Sequence, residues 1–173
     1  MARISFEQRK SINEPLYRGQ IYIDMENNAL LRVDFEVNPQ YIEQAAGMFV
    51  ERKSRNLRIT PQKVAYTVSY KQWNGTYYIN HIRGDLRFKI KKRRQLFNTN
   101  ILHTWFEMVT CKIDTANVNR FSRIESLPTR TVFSDTHFNY DEGFWGDFNV
   151  ILPEDKLNEA ISRITSKIEE TNY

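Results

Sequence analysis

A chain of 173 residues, 40% of them hydrophobic and 13% aromatic, is long enough for one ordinary domain and too rich in bulky apolar side chains to be disordered. Its 25 basic and 21 acidic residues leave a net charge of +4, an interspersed balance that hints only weakly at a nucleic-acid or membrane partner. Cys111 is the one cysteine and no run approaches 18 apolar residues, which excludes an internal disulfide and a membrane-spanning helix.

Residues 1–15 read as an N-terminal extension or a truncated edge, with Phe6 and Ile12 set among polar residues and no apolar core of a signal peptide. The opening reads as mid-domain sequence. The expectation is therefore a piece of a larger exported protein, periplasmic or cell-envelope associated; a complete chain with this start would be cytoplasmic.

Residues 16–173 read as one domain. Tyr17 to Asp24 predicts a strand, Glu26-Asn27-Asn28 a turn, and Ala29 to Val37 a second strand in which Leu31, Val33, Phe35 and Val37 alternate with Arg32, Asp34 and Glu36. Asn38-Pro39 predicts a short helix start, with Asn38 as its cap and Gly47 near its end. Val64, Tyr66, Val68 and Tyr70 share one face of a strand. Asn74-Gly75 then predicts a hairpin turn, because both central positions need positive φ. In the return strand Leu86, Phe88 and Ile90 point inward and Arg87, Lys89 and Lys91 outward. Ile101 to Ile113 predicts a long, bent strand. Pro128 interrupts an ambiguous stretch, and residues 135–148 form a loop dense in aromatics and acids. Leu157, Ile161, Ile164 and Ile168 repeat at helical spacing after Pro153, which predicts a helix over 153–170 with one apolar stripe to bury, most simply against the sheet. The fold class is mainly β (α+β): a curved antiparallel sheet or incomplete β-barrel packed by a C-terminal helix.

Few residues carry chemistry. His81, His103 and His137 share no short motif with each other or with Cys111, so neither zinc nor any other metal or cofactor is expected. Cys111 lies between Thr110 and Lys112 in the expected strand and reads as a small, partly buried thiol rather than a nucleophile. Asp135, Asp141, Glu142 and Asp147 lack calcium-loop spacing, and Glu107 with Glu142 gives no basis for a paired-carboxylate centre. No catalytic residue is assigned, and the chain is not expected to be an enzyme.

Three surfaces remain. Val68, Phe88, Ile161 and Ile164 form a candidate apolar ligand or packing face. Lys89, Lys91, Lys92, Arg93 and Arg94 form a candidate anion-binding surface, set against the plainer reading of a wet strand face whose charges guard an edge. Trp73, Tyr77 and Trp145 are candidate partner-facing aromatics. Nucleic acid is disfavoured, because its binding needs the basic segments merged into one stripe with exposed aromatics.

The run Leu16-Tyr17-Arg18-Gly19-Gln20-Ile21-Tyr22-Ile23-Asp24 with Ala29-Leu30-Leu31-Arg32-Val33 resembles the strand–turn–strand opening of lipoprotein-sorting and lipoprotein-carrier proteins. Residues 16–170, including Phe144 to Glu154, look closer to the C-terminal region of Bacteroidetes envelope proteins that carry a carboxypeptidase-like regulatory domain upstream. The resemblance implies an exported, outer membrane-associated parent and no peptidase activity, since that module is a non-catalytic β-sandwich. The carrier comparison implies an open barrel whose concave face takes acyl chains, though this chain lacks the first helix and strands of that pattern. The leading expectation is a non-catalytic scaffold or interaction domain whose partners are neighbouring domains of its parent, with an envelope protein, lipid or glycan beyond them. The alternative is a hydrophobic-ligand carrier or sensor.

Overall fold

The computed structural model describes residues 1–50, 55–93, 99–116 and 118–123, with Ser126, Pro128 and Thr131. The chain divides into two compact units, Met1–Thr110 and Cys111–Tyr173. The first carries the secondary structure described below. The expected helix over 153–170 and the aromatic loop over 135–148 lie outside the described residues.

Six strands form one sheet: β1 (Ala2–Phe6), β2 (Tyr17–Ile23), β3 (Leu30–Val37), β4 (Leu57–Trp73), β5 (Thr76–Lys92) and β6 (Thr99–Val109). Spatial order equals chain order and every neighbouring pair is antiparallel, so the sheet is a plain meander, not closed into a barrel. Residues 2–6 pair with β2, so the ordered chain begins well before Tyr17.

Local chemistry accounts for the turns. Asn74 (φ 47°) and Gly75 (φ 80°) both take positive φ, the requirement of the tight hairpin that joins β4 to β5. Between β2 and β3 the side chains of Asp24 and Asn27 accept hydrogen bonds from the amides of Glu26 and Ala29, and the Asp24 amide donates to the Ala29 carbonyl (2.9 Å). These short polar side chains replace ladder partners that the turn backbone lacks. After β3, Asn38 does not cap a helix directly. Its Oδ1 accepts from the Gln40 amide and its carbonyl from the Tyr41 amide, making a turn first. The helical segment is a short 3-10 helix, Ile42–Ala45, running into α1 (Ala46–Phe49), with Gly47 inside it.

The alternating pattern sorts side chains to two faces. Val33, Phe35 and Val37 on β3 lie beside Ile21, Gly19 and Tyr17 on β2. Tyr66 and Val68 on β4 lie beside Phe35 and Val33, and Val64 beside Leu86. The buried core sits at one end of this apolar face. There Val37, Ala45 and Val64 are fully buried with Ile42, and Tyr17, Phe49, Tyr66 and Leu86 pack around them. The two helical turns cover that end.

Strand β4 is longer than its clean alternation suggests and contains Pro61, fully buried. Pro61 stands at a register shift, beyond the stretch of β4 that pairs with β3. A proline is tolerated there because the position needs no ladder N–H. A second shift, at Ser69/Tyr70, lets β5 accommodate Asn80 as an extra residue.

Candidate functional site

The register aligns one row across the whole sheet: Phe6, Gly19, Phe35, Tyr66, Gly84 and Phe106 are successive neighbours from β1 to β6. Two glycines stand among the rings: the Phe106 ring fills the space over Gly84, and the β3 backbone fills the space over Gly19. A methyl group at Gly84 would collide with the Phe106 ring. One at Gly19 would collide with the Asp34 carbonyl and stand 2.8 Å from Phe35 Cα. Phe35 stacks on Tyr66 (5.3 Å, 29°), Tyr17 meets Phe35 edge-on (5.4 Å, 80°) and Phe106 tilts against Tyr66 (6.4 Å, 57°). Each such pair adds roughly 0.5–1.5 kcal/mol beyond area burial. Burial raises the Tyr66 hydroxyl above its ordinary pKa, with Tyr17 adding to the shift.

Away from the helical turns, none of the described elements packs on this face. Ile4 (49%), Leu102 (47%), Phe106 (41%) and Met108 (59%) remain exposed on it. Single exposed apolar residues such as Ile4 on β1 need no explanation, but Leu102, Phe106 and Met108 line one face of β6, and such a set marks a contact surface. Of the expected packing face, Val68 is half-buried beside Val33 and Ile82, and Phe88 is buried beside Pro61 and Leu102. Ile161 and Ile164 lie outside the described residues.

The opposite face is polar, and across β2 to β6 as far as Asp85 most of its charges are matched. Arg18 Nε and Nη2 both donate to Glu36 Oε1 (2.9 and 2.7 Å), and Arg32 Nε and Thr67 Oγ1 both donate to Asp34 Oδ1 (2.9 and 2.8 Å). Arg83 pairs with Glu107, and its guanidinium lies over the Trp105 ring (5.4 Å). Asp85 takes Lys63 Nζ (3.0 Å) and lies 2.9 Å from His103 Nε2. Burial pushes the Asp85 carboxyl up, but hydrogen bonds and charge from Lys63 and His103 outweigh it and leave the group below the usual carboxylate range. A shallow recess of about 610 Å³ crosses β1 to β4 on this face, between Arg18, Gln20, Asp34 and Glu36. Its lining is mixed, with Phe6, Phe35, Ala65 and Tyr66 beside those polar residues, and neither Val68 nor Phe88 belongs to it.

At the far end of the β4–β5 hairpin the matching stops. Arg58, Arg87, Lys89, Lys91, Lys92 and Arg93 are all exposed, and among the described residues none of them makes an ion pair. Lys91 lies beside Arg58, and Lys89 beside Thr60 and Ile101. Arg94 is outside the described residues.

The candidate aromatics separate. Trp73 is 49% exposed beside the hairpin turn. The Tyr77 hydroxyl accepts a hydrogen bond from Asn27 Nδ2 (3.1 Å), which ties the β2–β3 turn to β5. Trp145 lies outside the described residues. Cys111 follows the end of β6 and is exposed, not a half-buried strand thiol: β6 ends at Val109 rather than at Ile113. Glu142 and the acids at 135, 141 and 147 are also outside the described residues, and no group of three or more His, Cys, Asp or Glu that could hold a metal ion occurs among the described ones. None of the described helices is long and apolar enough to cross a membrane. The row of rings and glycines has no mark in the sequence as a row. Its signal is a glycine inside each of two strands, Gly19 and Gly84, which becomes interpretable only with the register in hand.

Comparison of the chain with protein-family models, curated proteins and solved structures gives no match.

Proposed function

We propose that the sheet is a non-catalytic interaction domain of a larger, envelope-associated protein, and that its apolar face closes against a neighbouring domain of that parent. The observation that carries this reading is the apolar face itself. A sheet buries one face against another layer, yet among the described residues the helical turns alone cover it, at the end with Val37 and Val64, and Ile4, Phe106 and Met108 are exposed. The likeness of residues 16–170 to C-terminal regions of Bacteroidetes envelope proteins supports the parent and the compartment. The ion pairs across the middle of the polar face fit a wet surface of a scaffold.

The carrier reading needs an enclosed apolar cavity, whereas the recess between Arg18, Gln20, Phe35, Glu36 and Tyr66 is shallow and open. Native mass spectrometry of the domain, produced within its parent in the parent's own envelope and released by limited proteolysis, separates the two. The interaction reading expects the bare polypeptide mass. A retained lipid or other small apolar molecule in stoichiometric amount contradicts it in favour of the carrier.

A further inference from the structure

We propose that the far end of the β4–β5 hairpin is a docking surface for anionic phospholipid headgroups. The argument uses residues separate from those of the apolar row and stands without that reading.

It begins with a contrast within one face of the sheet. Across the middle, the cations have acidic partners: Arg18 with Glu36, Arg32 with Asp34, Lys63 with Asp85, Arg83 with Glu107. Beyond Asp85 the pattern stops. Arg87, Lys89 and Lys91 follow at alternate positions of β5 and therefore share this face, and Arg58 stands beside Lys91. Lys92 and Arg93 complete the rim. The chain thus brings together six exposed cations without an ion pair among the described residues, though it carries 21 acidic residues in all. Edge guarding does not account for them, because Arg87, Lys89 and Lys91 lie on β5 where it is paired with both β4 and β6. The row from Arg87 to Lys91 runs about 13 Å without the neighbouring carboxylates that cancel such charge elsewhere on this face.

The partner class follows from what accompanies the charge. Ile101 lies directly beside Lys89 and is 47% exposed, and the adjacent Leu102 on the other face is equally so. Lysines with long apolar stems next to exposed aliphatic side chains suit a membrane interface: ammonium groups reach the phosphates while aliphatic groups enter the headgroup boundary. Single-stranded nucleic acid would instead call for exposed rings on which bases stack, and among the described residues this end presents none: Phe88 is 7% exposed.

The test is co-sedimentation of the full 173-residue chain with vesicles of phosphatidylcholine containing about 30% phosphatidylglycerol, against vesicles of phosphatidylcholine alone. The chain is expected to sediment only with the anionic vesicles and to be released by about 1 M salt, where the screening length falls to about 3 Å. Each cation near such a surface contributes about fivefold in partitioning. The double variant Lys89→Gln/Lys91→Gln should therefore bind about 30-fold more weakly. Ile101→Ser should weaken binding without changing its salt dependence. Arg18→Gln, which removes a paired cation from the same face, should bind as the parent does. Circular dichroism of each variant establishes that the sheet is retained. Equal sedimentation with uncharged vesicles, or parental binding by the double variant, overturns the proposal. So does retention on heparin or duplex DNA without sedimentation on anionic vesicles, which would assign the cluster to a soluble polyanion.

Discussion

Gly19 and Gly84 occupy equivalent places in the aromatic row, yet an added methyl group meets different atoms at each, and the two substitutions should differ in cost. At Gly84 the obstacle is the Phe106 ring, the far end of a side chain that is 41% exposed on β6. The ring can swing toward solvent, so Gly84→Ala forfeits its contact with Tyr66, about 0.5–1.5 kcal/mol. Part of that loss is offset by the smaller backbone freedom of alanine in the unfolded chain, about 0.4–1 kcal/mol. At Gly19 the obstacle is the β3 backbone, the Asp34 carbonyl and Phe35 Cα, and no rotamer change relieves it. Gly19→Ala should cost about 2–3 kcal/mol, at the upper end of overpacking. Gly47 supplies the control: nothing lies within 4 Å of an added Cβ there, and Gly47→Ala in α1 should stabilise by about 0.4–1 kcal/mol. Urea unfolding followed by far-UV circular dichroism measures all three. A cycle with Phe106→Ala then asks whether the Gly84→Ala penalty disappears once the ring is gone, giving a coupling of about 1 kcal/mol. A Gly19→Ala variant within about 0.5 kcal/mol of the parent, or strictly additive Gly84 and Phe106 effects, would refute the row as described.

Other outcomes follow from the same contacts. Val64→Ala removes a fully buried side chain at the end of the sheet that the helical turns cover and should cost about 2–3 kcal/mol in the same assay. Asp85→Asn should cost about 0.2–1 kcal/mol near neutral pH, the range of an exposed ion pair. Because the folded-state pKa of Asp85 is depressed, that stabilisation is present above the unfolded value of about 3.9 and lost as pH falls through the folded one. Parent and variant should therefore converge in acid, and a difference that persists there would assign the effect to something other than charge. Gly75→Ala places a side chain at φ 80° and should destabilise the hairpin by about 1 kcal/mol; an unchanged unfolding midpoint would contradict the turn geometry.

Much of the sheet was legible because its determinants are local. The alternation Leu31, Val33, Phe35, Val37 needs only the two-residue period of a strand, and Asn74-Gly75 needs only the positive φ of its turn. The alternation Leu86, Phe88, Ile90 against Arg87, Lys89, Lys91 likewise matches the buried and exposed positions of β5. What failed to show was set by neighbours. Residues 2–6 become a strand because β2 offers them a partner, and Pro61 sits inside β4 because that stretch has pairing on the β5 side alone among the described strands. Asn38 looked like a helix cap because Pro39 follows it, yet its carbonyl and side chain are used first by a turn. Cys111 was placed in a strand by the apolar run before it, whereas pairing stops at Val109. The basic cluster was visible in sequence as a run after Lys89. Its distinction from ordinary strand charge was not, because that depends on which cations meet a carboxylate across the sheet. The row of rings and glycines required five registers at once.

The measurement that tests the central claim most directly is photo-crosslinking from a benzophenone amino acid placed at exposed Met108, on the apolar face, or at Gln20, on the polar face, within the proposed parent protein in its own cells. The interaction reading predicts a discrete protein adduct from Met108, mapping to another domain of the parent, and none from Gln20. The absence of any protein adduct from Met108, with the domain shown to be folded, would contradict it.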